Sequence, residues 1–222
     1  MHEHKFIFLK SLIFSVMLGM TACGSIKTPT VTSSHSEATH QGIIVALGDS
    51  LTEGYLLHEN QAYPALLEQK LKANGYNYNV INAGISGEIS RGTLSRVDEI
   101  LASYNPNIVI LEIGVNDAGW AIKFEHTYQN ISQIVDRLQA HGSIVVLAGM
   151  ESLIPMDNAY MAAFDEMYVR IAKEKNIILI PSFLEGVVDN PNLNLFDGMH
   201  PNAEGYKVIC DTVYPYIIEA IE

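Results

Sequence analysis

The chain has 222 residues, of which 13 are Lys or Arg and 25 are Asp or Glu, so its formal net charge at pH 7 is −12. This balance disfavours a nucleic-acid partner, because neutralising phosphates requires a surface rich in Lys and Arg. The two cysteines, Cys23 and Cys210, are too few for a disulfide-stapled miniature, and no Cys/His spacing is that of a zinc site. We therefore expect no metal and no cofactor.

The N-terminus has the pattern of an export signal. Lys5 and Lys10 flank the start of an apolar run over residues 6–20, which ends in small residues. The run is shorter than the roughly 20 residues that cross a bilayer. Residues 1–22 are therefore predicted to be a signal peptide. An uncleaved membrane anchor is the less favoured alternative.

The end of this signal resembles a bacterial lipobox, in which a cysteine is lipidated and becomes the first mature residue. Here that cysteine is Cys23, and Met20 stands where such signals usually have Leu. We expect a lipoprotein on the periplasmic side of a bacterial membrane; the alternative is an ordinary secretory signal with an incidental Cys23. Residues 23–41 are rich in Ser, Thr and His and too polar to order themselves, which predicts a flexible tether before a domain at residues 42–222.

Within residues 42–222, short apolar runs alternate with longer amphipathic stretches. The predicted strands are residues 43–47, 78–81, 108–113, 144–148 and 177–180, and the predicted helices are about residues 62–73, 91–103, 124–140, 158–175 and 203–221. This alternation predicts an α/β fold, a three-layer α/β/α sandwich of flavodoxin-like type. We expect a five-stranded parallel sheet in the order 2-1-3-4-5.

Three turn-like segments follow the first three predicted strands, where ligands of such sheets bind. They are Gly48-Asp49-Ser50, Asn82 to Gly87, and Gly114 to Asp117. Each alone can be a plain turn, and Gly-Asp-Ser can simply cap the next helix. Together they place small residues and an amide at neighbouring strand ends, where a substrate carbonyl oxygen can collect hydrogen bonds.

A fourth segment precedes the last predicted helix and contains Asp197 and His200. An Asp three residues before a His can fold back on the imidazole, fix its tautomer and make it a better base. A capping Asp beside an unrelated surface His is the alternative. The other histidines of the domain, His58, His126 and His141, lack such a neighbour and are predicted to lie on the surface.

These four segments, in this order, resemble the signature blocks of the SGNH or GDSL hydrolases, and the similarity covers the whole predicted domain. It is strongest to the bacterial subgroup of acyl-CoA thioesterase I, lysophospholipase L1 and arylesterase. The resemblance implies that Ser50 is the nucleophile and that Asp197 and His200 complete a catalytic triad. It implies an oxyanion hole made by the Ser50 N–H, the Gly87 N–H and the Asn116 amide.

One residue departs from the pattern of the subgroup, since Val115 stands where a second Gly is usual. We expect its Cβ to narrow or stiffen the loop that carries Asn116. Residues 118–121, which include Trp120, and residues 151–158 are predicted either to line an acyl groove or to be ordinary core.

The expected activity is hydrolysis of small acyl esters, thioesters or lysolipids by a monomer held at the membrane through its lipid anchor. The absence of Gly-x-Ser-x-Gly excludes the α/β-hydrolase version of this chemistry. Three alternatives stay open: a carbohydrate O-acetylesterase, a binding lipoprotein without activity, and, most remotely, a flavin carrier of the same architecture.

Overall fold

Apolar, largely β-branched runs form most of the strands, because such side chains pack well in a sheet that is covered on both faces. The computed structural model describes residues 40–150 and 158–222. Within those ranges the strands are β1 (Gly42–Gly48), β2 (Tyr78–Gly84), β3 (Ile108–Glu112), β4 (Ile144–Ala148) and β5 (Ile178–Ile180). They form a parallel sheet in the order β2-β1-β3-β4-β5, which confirms the predicted fold and strand order.

Helices connect the strands and cover both faces of the sheet. They are α1 (Ser50–Glu53), α2 (Tyr63–Ala73), α3 (Ser90–Tyr104), α4 (Val115–Gly119), α5 (Phe124–His141), α6 (Asn158–Lys175) and α7 (Ala203–Ile221), with a 3₁₀ turn at Glu59–Gln61. α2 packs against α7, whereas α5 packs against both α3 and α6. α2 connects β1 to β2, whereas α3, α5 and α6 belong to connections that run across the sheet in the opposite direction, from β2 towards β5. Right-handed crossovers therefore place α2 on one face of the sheet and these three helices on the other.

The core lies on the two faces of the central strands. All five residues of β3 are buried, and the strands on either side of it, β1 and β4, contribute buried residues from Ile44 to Leu47 and from Val145 to Ala148. Burial on both faces explains why these strands have no alternation of polar and apolar residues. The apolar stripes of the helices close the two outer layers.

Two local differences from the expected elements lie close to one another. β2 continues to Gly84, so Asn82 and Ala83 belong to the strand and pair with β1 instead of forming the start of a loop. The segment predicted as a turn after β3 instead forms the short helix α4, in which Val115 is buried. An element of five residues is too short to show a helical period in the sequence.

The first three strands end together at one edge of the sheet. Gly48, the last residue of β1, pairs with Gly84 of β2 and with Glu112 of β3. β1 is also where the strand order reverses, because the chain goes first to β2 on one side and then to β3 on the other. Loops leaving a sheet at such a point diverge and leave a crevice in which ligands bind.

Candidate active site

Ser50 is the first residue of α1, immediately after the end of β1. The side chain of Asp49 caps this helix, since its Oδ1 accepts a hydrogen bond of 3.0 Å from the Leu51 N–H. The Tyr206 hydroxyl of α7 donates to the Leu51 carbonyl over 3.0 Å and so links α1 to α7. The capping role of Asp49 is therefore real, and it fixes the position of Ser50 at the carboxyl edge of the sheet.

The side chains of Ser50, His200 and Asp197 form a continuous hydrogen-bonded chain. Ser50 Oγ lies 3.0 Å from His200 Nε2, and His200 Nδ1 lies 2.7 Å from Asp197 Oδ2. The second carboxylate oxygen of Asp197 accepts from the backbone N–H groups of Met199 and His200 at 2.9 and 3.0 Å. An imidazole held between a carboxylate and a hydroxyl can take the hydroxyl proton while the carboxylate stabilises the resulting positive charge.

Electrostatics keep Asp197 ionised in this arrangement. Burial opposes ionisation, but the hydrogen bonds from the His200 and Met199 N–H groups and from the His200 ring outweigh it and lower the pKa of Asp197. A carboxylate that stays charged is what a neighbouring imidazolium requires.

A tight loop before α7 holds Asp197 and His200. The Leu195 N–H donates to the His200 carbonyl over 2.7 Å, and Asn194 forms an antiparallel bridge with Pro201. Between them Gly198 has a φ of 70°, a backbone conformation that residues with a Cβ rarely adopt. Asn202 then caps α7, so the loop is closed on itself and attached to a long helix.

Asn116, on α4, reaches from the end of β3 towards the end of β1. Its Nδ2 donates to Asp49 Oδ2 over 3.1 Å and to the Glu88 carbonyl over 2.9 Å. Asp49 precedes Ser50, and Glu88 follows the exposed Gly87, whose φ is 76°. The structure thus brings the Asn116 amide next to the segments that carry the other two predicted oxyanion donors.

Asp49 and Glu112 are two buried carboxyl groups near Ser50. The sequence-based prediction did not include Glu112. Glu112 ends β3 and is fully buried; its Oε2 accepts from the Thr52 hydroxyl over 2.8 Å, and its Oε1 has no partner among the described residues. Burial raises the pKa of Glu112 to about 7. Burial, followed by the charge of Glu112, raises the pKa of Asp49 well above its ordinary value.

Other contacts at the site were also absent from the sequence-based prediction. The Tyr55 ring packs against the imidazole of His200, with the ring centroids 4.4 Å apart and the planes 37° apart. Arg96 of α3 forms an ion pair with Glu88. A charged residue that closes an apolar strand, as Glu112 does, is a sequence signal for a buried polar site, whereas the Tyr55 contact depends on tertiary placement alone.

Exposed apolar side chains lie close in the chain to the site residues. They follow or flank the site residues in the chain and are Leu56, Ile85, Trp120, Phe196 and Met199. Trp120 is 75% exposed and Phe196 92% exposed, so the interpretation of Trp120 as core is wrong. Large exposed apolar groups near a site commonly mark a surface that binds apolar ligands.

Some predictions concern residues that the structure does not describe. Cys23 and most of residues 151–158 lie outside the described ranges. His58, His126 and His141 are exposed, as expected. Within residues 40–150 and 158–222, no group of three or more His, Cys, Asp or Glu side chains is arranged to hold a metal ion. In the same ranges, every helix is too short or too polar to cross a membrane.

Comparison with known proteins gives a consistent assignment. The model of the GDSL-like Lipase/Acylhydrolase family matches residues 46–208. Esterase TesA of Pseudomonas aeruginosa is 32% identical over 81% of this chain and 89% of its own length. Thioesterase 1/protease 1/lysophospholipase L1 of Escherichia coli is 33% identical over 76% of this chain and 79% of its own length.

Solved structures agree with these relatives. The crystal structure of TesA superimposes with a TM-score of 0.76 at 31% identity, covering 80% of this chain and 99% of that one. The esterase EstA from Pseudoalteromonas sp., inhibited by monoethylphosphonate, gives a TM-score of 0.75 at 29% identity over 81% of this chain and 98% of its own. The chain therefore belongs to the GDSL-like Lipase/Acylhydrolase family and is a serine hydrolase of ester bonds.

Proposed function

We propose that Ser50 is the nucleophile of this hydrolase, that His200 is its general base and acid, and that Asp197 orients and stabilises His200. The observation that carries the proposal is the unbroken chain from Ser50 Oγ to His200 Nε2 at 3.0 Å and from His200 Nδ1 to Asp197 Oδ2 at 2.7 Å. A serine hydroxyl is a weak nucleophile until a base takes its proton, and this geometry supplies that base.

In the first half of the reaction, His200 Nε2 takes the Ser50 proton while Oγ attacks the carbonyl carbon of the ester. The resulting tetrahedral intermediate collapses, and His200 gives the proton to the leaving alcohol or thiol. An acyl group then remains on Ser50. Water repeats the sequence with His200 as base and releases the carboxylic acid, so the enzyme returns to its starting state.

The negative oxygen of the intermediate needs hydrogen-bond donors. We assign this role to the Ser50 N–H, the Gly87 N–H and the Asn116 amide, which approach from the ends of β1, β2 and β3. Both acceptors of the Asn116 Nδ2 group, Asp49 and the Glu88 carbonyl, belong to neighbouring loop residues, so an arriving oxyanion would share a donor that is already oriented. Removal of one such donor typically lowers turnover by about 10²–10³.

A phosphonate probe tests the assignment of the nucleophile, because it forms a stable adduct only with an activated serine. Wild-type protein should be labelled with one equivalent of a fluorophosphonate, and Ser50→Ala should not be labelled. Ser95→Ala is the matched control, since Ser95 is an exposed serine on α3 whose hydroxyl donates to the Gly92 carbonyl of its own helix. Labelling of Ser50→Ala at the wild-type level would refute the proposal.

For the substrate we propose esters or thioesters of medium to long acyl chains, lysolipids included. The support is the set of exposed apolar side chains at the site, above all Phe196 beside Asp197 and Trp120 beyond Asn116. A series of p-nitrophenyl esters from acetate to laurate measures this preference. Strict preference for acetate would instead favour the carbohydrate O-acetylesterase.

We propose further that the protein is exported and attached to a membrane through lipidated Cys23. The support is the sequence of residues 1–23, with its charged start, apolar run and small residues before the cysteine. Radiolabelled palmitate should enter the wild-type protein and be absent from Cys23→Ala. Unlabelled wild-type protein would leave Cys23 as an incidental residue of an ordinary signal.

The domain is proposed to act as a monomer, because the three side chains of the triad all come from one chain. Light scattering on the domain without its signal measures the mass directly. A dimer at the concentrations used for assays would contradict the proposal.

A further inference from the structure

Arg96 of α3 lies under the loop that leads from β2 to α3. Its guanidinium donates to both carboxylate oxygens of Glu88, with distances of 2.6 Å from Nη2 to Oε2 and 2.8 Å from Nε to Oε1. The side chains of Arg96 and Glu88 are only 15% and 9% exposed. A planar guanidinium with two donors on one carboxylate fixes orientation as well as distance.

The same guanidinium also holds the ends of two strands. Nη2 donates to the Ala83 carbonyl of β2 over 2.8 Å and approaches the Gly48 carbonyl of β1 at 3.3 Å. Gly48 is followed by Asp49 and Ser50 in the chain. One side chain therefore ties together the strand before the proposed nucleophile, the strand before Gly87, and the loop that contains Gly87.

Glu88 carries this connection to the third strand. Its backbone carbonyl accepts from the Asn116 amide over 2.9 Å, and its carboxylate accepts from the Thr93 hydroxyl over 2.8 Å. The close fit is visible at Gly92, where an added Cβ would lie 2.9 Å from the Glu88 side chain. Glu88 is thus held from several directions, and through it the position of the Asn116 amide is set.

We propose that Arg96 and Glu88 are positioning residues for the oxyanion hole, and that their ion pair holds the Gly87 N–H and the Asn116 amide towards the carbonyl oxygen of the ester that Ser50 attacks. The inference rests on the proposed function, because it presumes that these groups receive the oxyanion. Neither side chain touches the reacting atoms. A misplacement of catalytic groups by about 1 Å can lower the rate by about 10²-fold.

The alternative is an ion pair that serves folding alone. Buried pairs often add little to stability compared with apolar replacements, whereas loss of one partner is strongly destabilising. Variants that keep the shape and one hydrogen bond are therefore needed. Glu88→Gln keeps the carbonyl acceptor and removes the charge, and Arg96→Lys keeps the charge and removes the two-donor geometry.

The experiment measures kcat and KM for a p-nitrophenyl ester, with the concentration of active sites counted by end-point titration with a fluorophosphonate. For Glu88→Gln and Arg96→Lys we expect kcat per active site to fall about 10- to 100-fold with KM changed less than about threefold. Arg137→Lys is the matched control, because Arg137 of α5 forms an exposed ion pair with Asp98 of α3. It should keep wild-type kcat.

A second measurement separates positioning from folding. A trifluoromethyl ketone, whose adduct carries an oxyanion, should bind the two variants more weakly in proportion to their loss of kcat/KM, while inhibition by the product carboxylate stays unchanged. Unchanged kcat per active site, or a loss of kcat without weaker binding of the ketone, would overturn the inference. Ser50→Ala separates a failure of this inference from a failure of the proposed function. If Ser50→Ala keeps its turnover, the proposed function itself is refuted.

Discussion

At the scale of single residues, the carboxyl groups of Asp49 and Glu112 are the least expected feature of the site. Both are buried, burial raises the pKa of each, and the charge of Glu112 raises the pKa of Asp49 further. The titratable groups that face the pair from the surrounding elements are Tyr63, Glu88, Tyr168 and Tyr206. None of these carries a positive charge at neutral pH, and the charge of the nearby Arg96 is paired with that of Glu88, so the pair is expected to retain a proton well above the usual range of carboxyl groups.

This proton makes stability depend on pH. The pKa of Glu112 is about 7 in the folded protein and 4.5 ordinarily, so between these values the folded state holds a proton that the unfolded state has lost. The contribution of Glu112 to the free energy of unfolding is then full below about pH 4.5 and falls as pH rises through 7. Glu112→Gln removes this dependence.

The free energy of unfolding of Glu112→Gln relative to wild type should therefore rise between pH 5 and pH 8, by on the order of 1–3 kcal/mol. Urea unfolding of both proteins at the two pH values measures the change. Glu99→Gln, which replaces an exposed carboxylate on α3, should differ from wild type equally at both values. A relative stability of Glu112→Gln that does not change with pH would show that the pair shares no such proton.

At the scale of secondary-structure elements, the sequence predicted every strand of the described ranges, because apolar runs that alternate with amphipathic stretches leave few other folds. The bounds of α6 and α7 agree with those expected, whereas β2 is longer because Asn82 and Ala83 complete its pairing with β1. Helix α4 was missed, since its first residues, Val115, Asn116 and Asp117, follow a glycine, and glycine, asparagine and aspartate favour a turn. Local patterns thus found the strands and the longer helices, but not the short helix α4 or the end of β2.

Sequence patterns likewise identified some residues of the site and not others. Ser50, Gly87, Asn116, Asp197 and His200 stand in motifs that can be read along the chain, and the structure brings the segments that carry them to one edge of the sheet. Arg96 and Glu88 form no such motif. Their roles depend on how α3 packs against the ends of β1 and β2, where Arg96 contacts the Gly48 and Ala83 carbonyls. A pattern of residue types does not predict this packing.

Helix α7 offers a test at this scale, because Asn202 both caps the helix and holds the loop that precedes it. Its Oδ1 accepts from the N–H groups of Glu204 and Gly205, and its Nδ2 donates to the carbonyls of Asn192 and Asn194. Loss of a cap of this kind costs about 0.5–2 kcal/mol. The loop also carries Asp197 and His200, so loss of the cap should also shift these two side chains.

Asn202→Ala is expected to lower the free energy of unfolding by about 1–2 kcal/mol and to reduce kcat at saturating substrate. Asn202→Asp keeps the cap and loses the two donors to the loop, so it should keep most of the stability and share the reduction in kcat. Urea unfolding and steady-state kinetics on the three proteins measure both effects. Equal kcat in all three would show that the loop holds Asp197 and His200 without Asn202.

At the scale of the whole molecule, the order of the strands determines where the chemistry lies. The strand order reverses at β1, and the loops after β1, β2 and β3 meet there together with the loop before α7. The net charge of −12 gives this acidic chain no general attraction for anionic surfaces. We expect the acyl chain of the ester to be recognised by apolar contact with the exposed side chains of the loops that carry the site.

Phe196 is the side chain on which this idea depends most, because it precedes Asp197 and is 92% exposed. An apolar contact with the substrate strengthens as the acyl chain lengthens, at about 0.8 kcal/mol for each buried methylene. Phe196→Ala and Trp120→Ala should therefore lower kcat/KM for a decanoate ester by about fivefold or more and leave an acetate ester within about twofold. Val169→Ala, which trims an exposed apolar residue on α6, should change neither substrate. Equal losses for acetate and decanoate would mean that Phe196 and Trp120 support the loops of the site and do not contact the acyl chain.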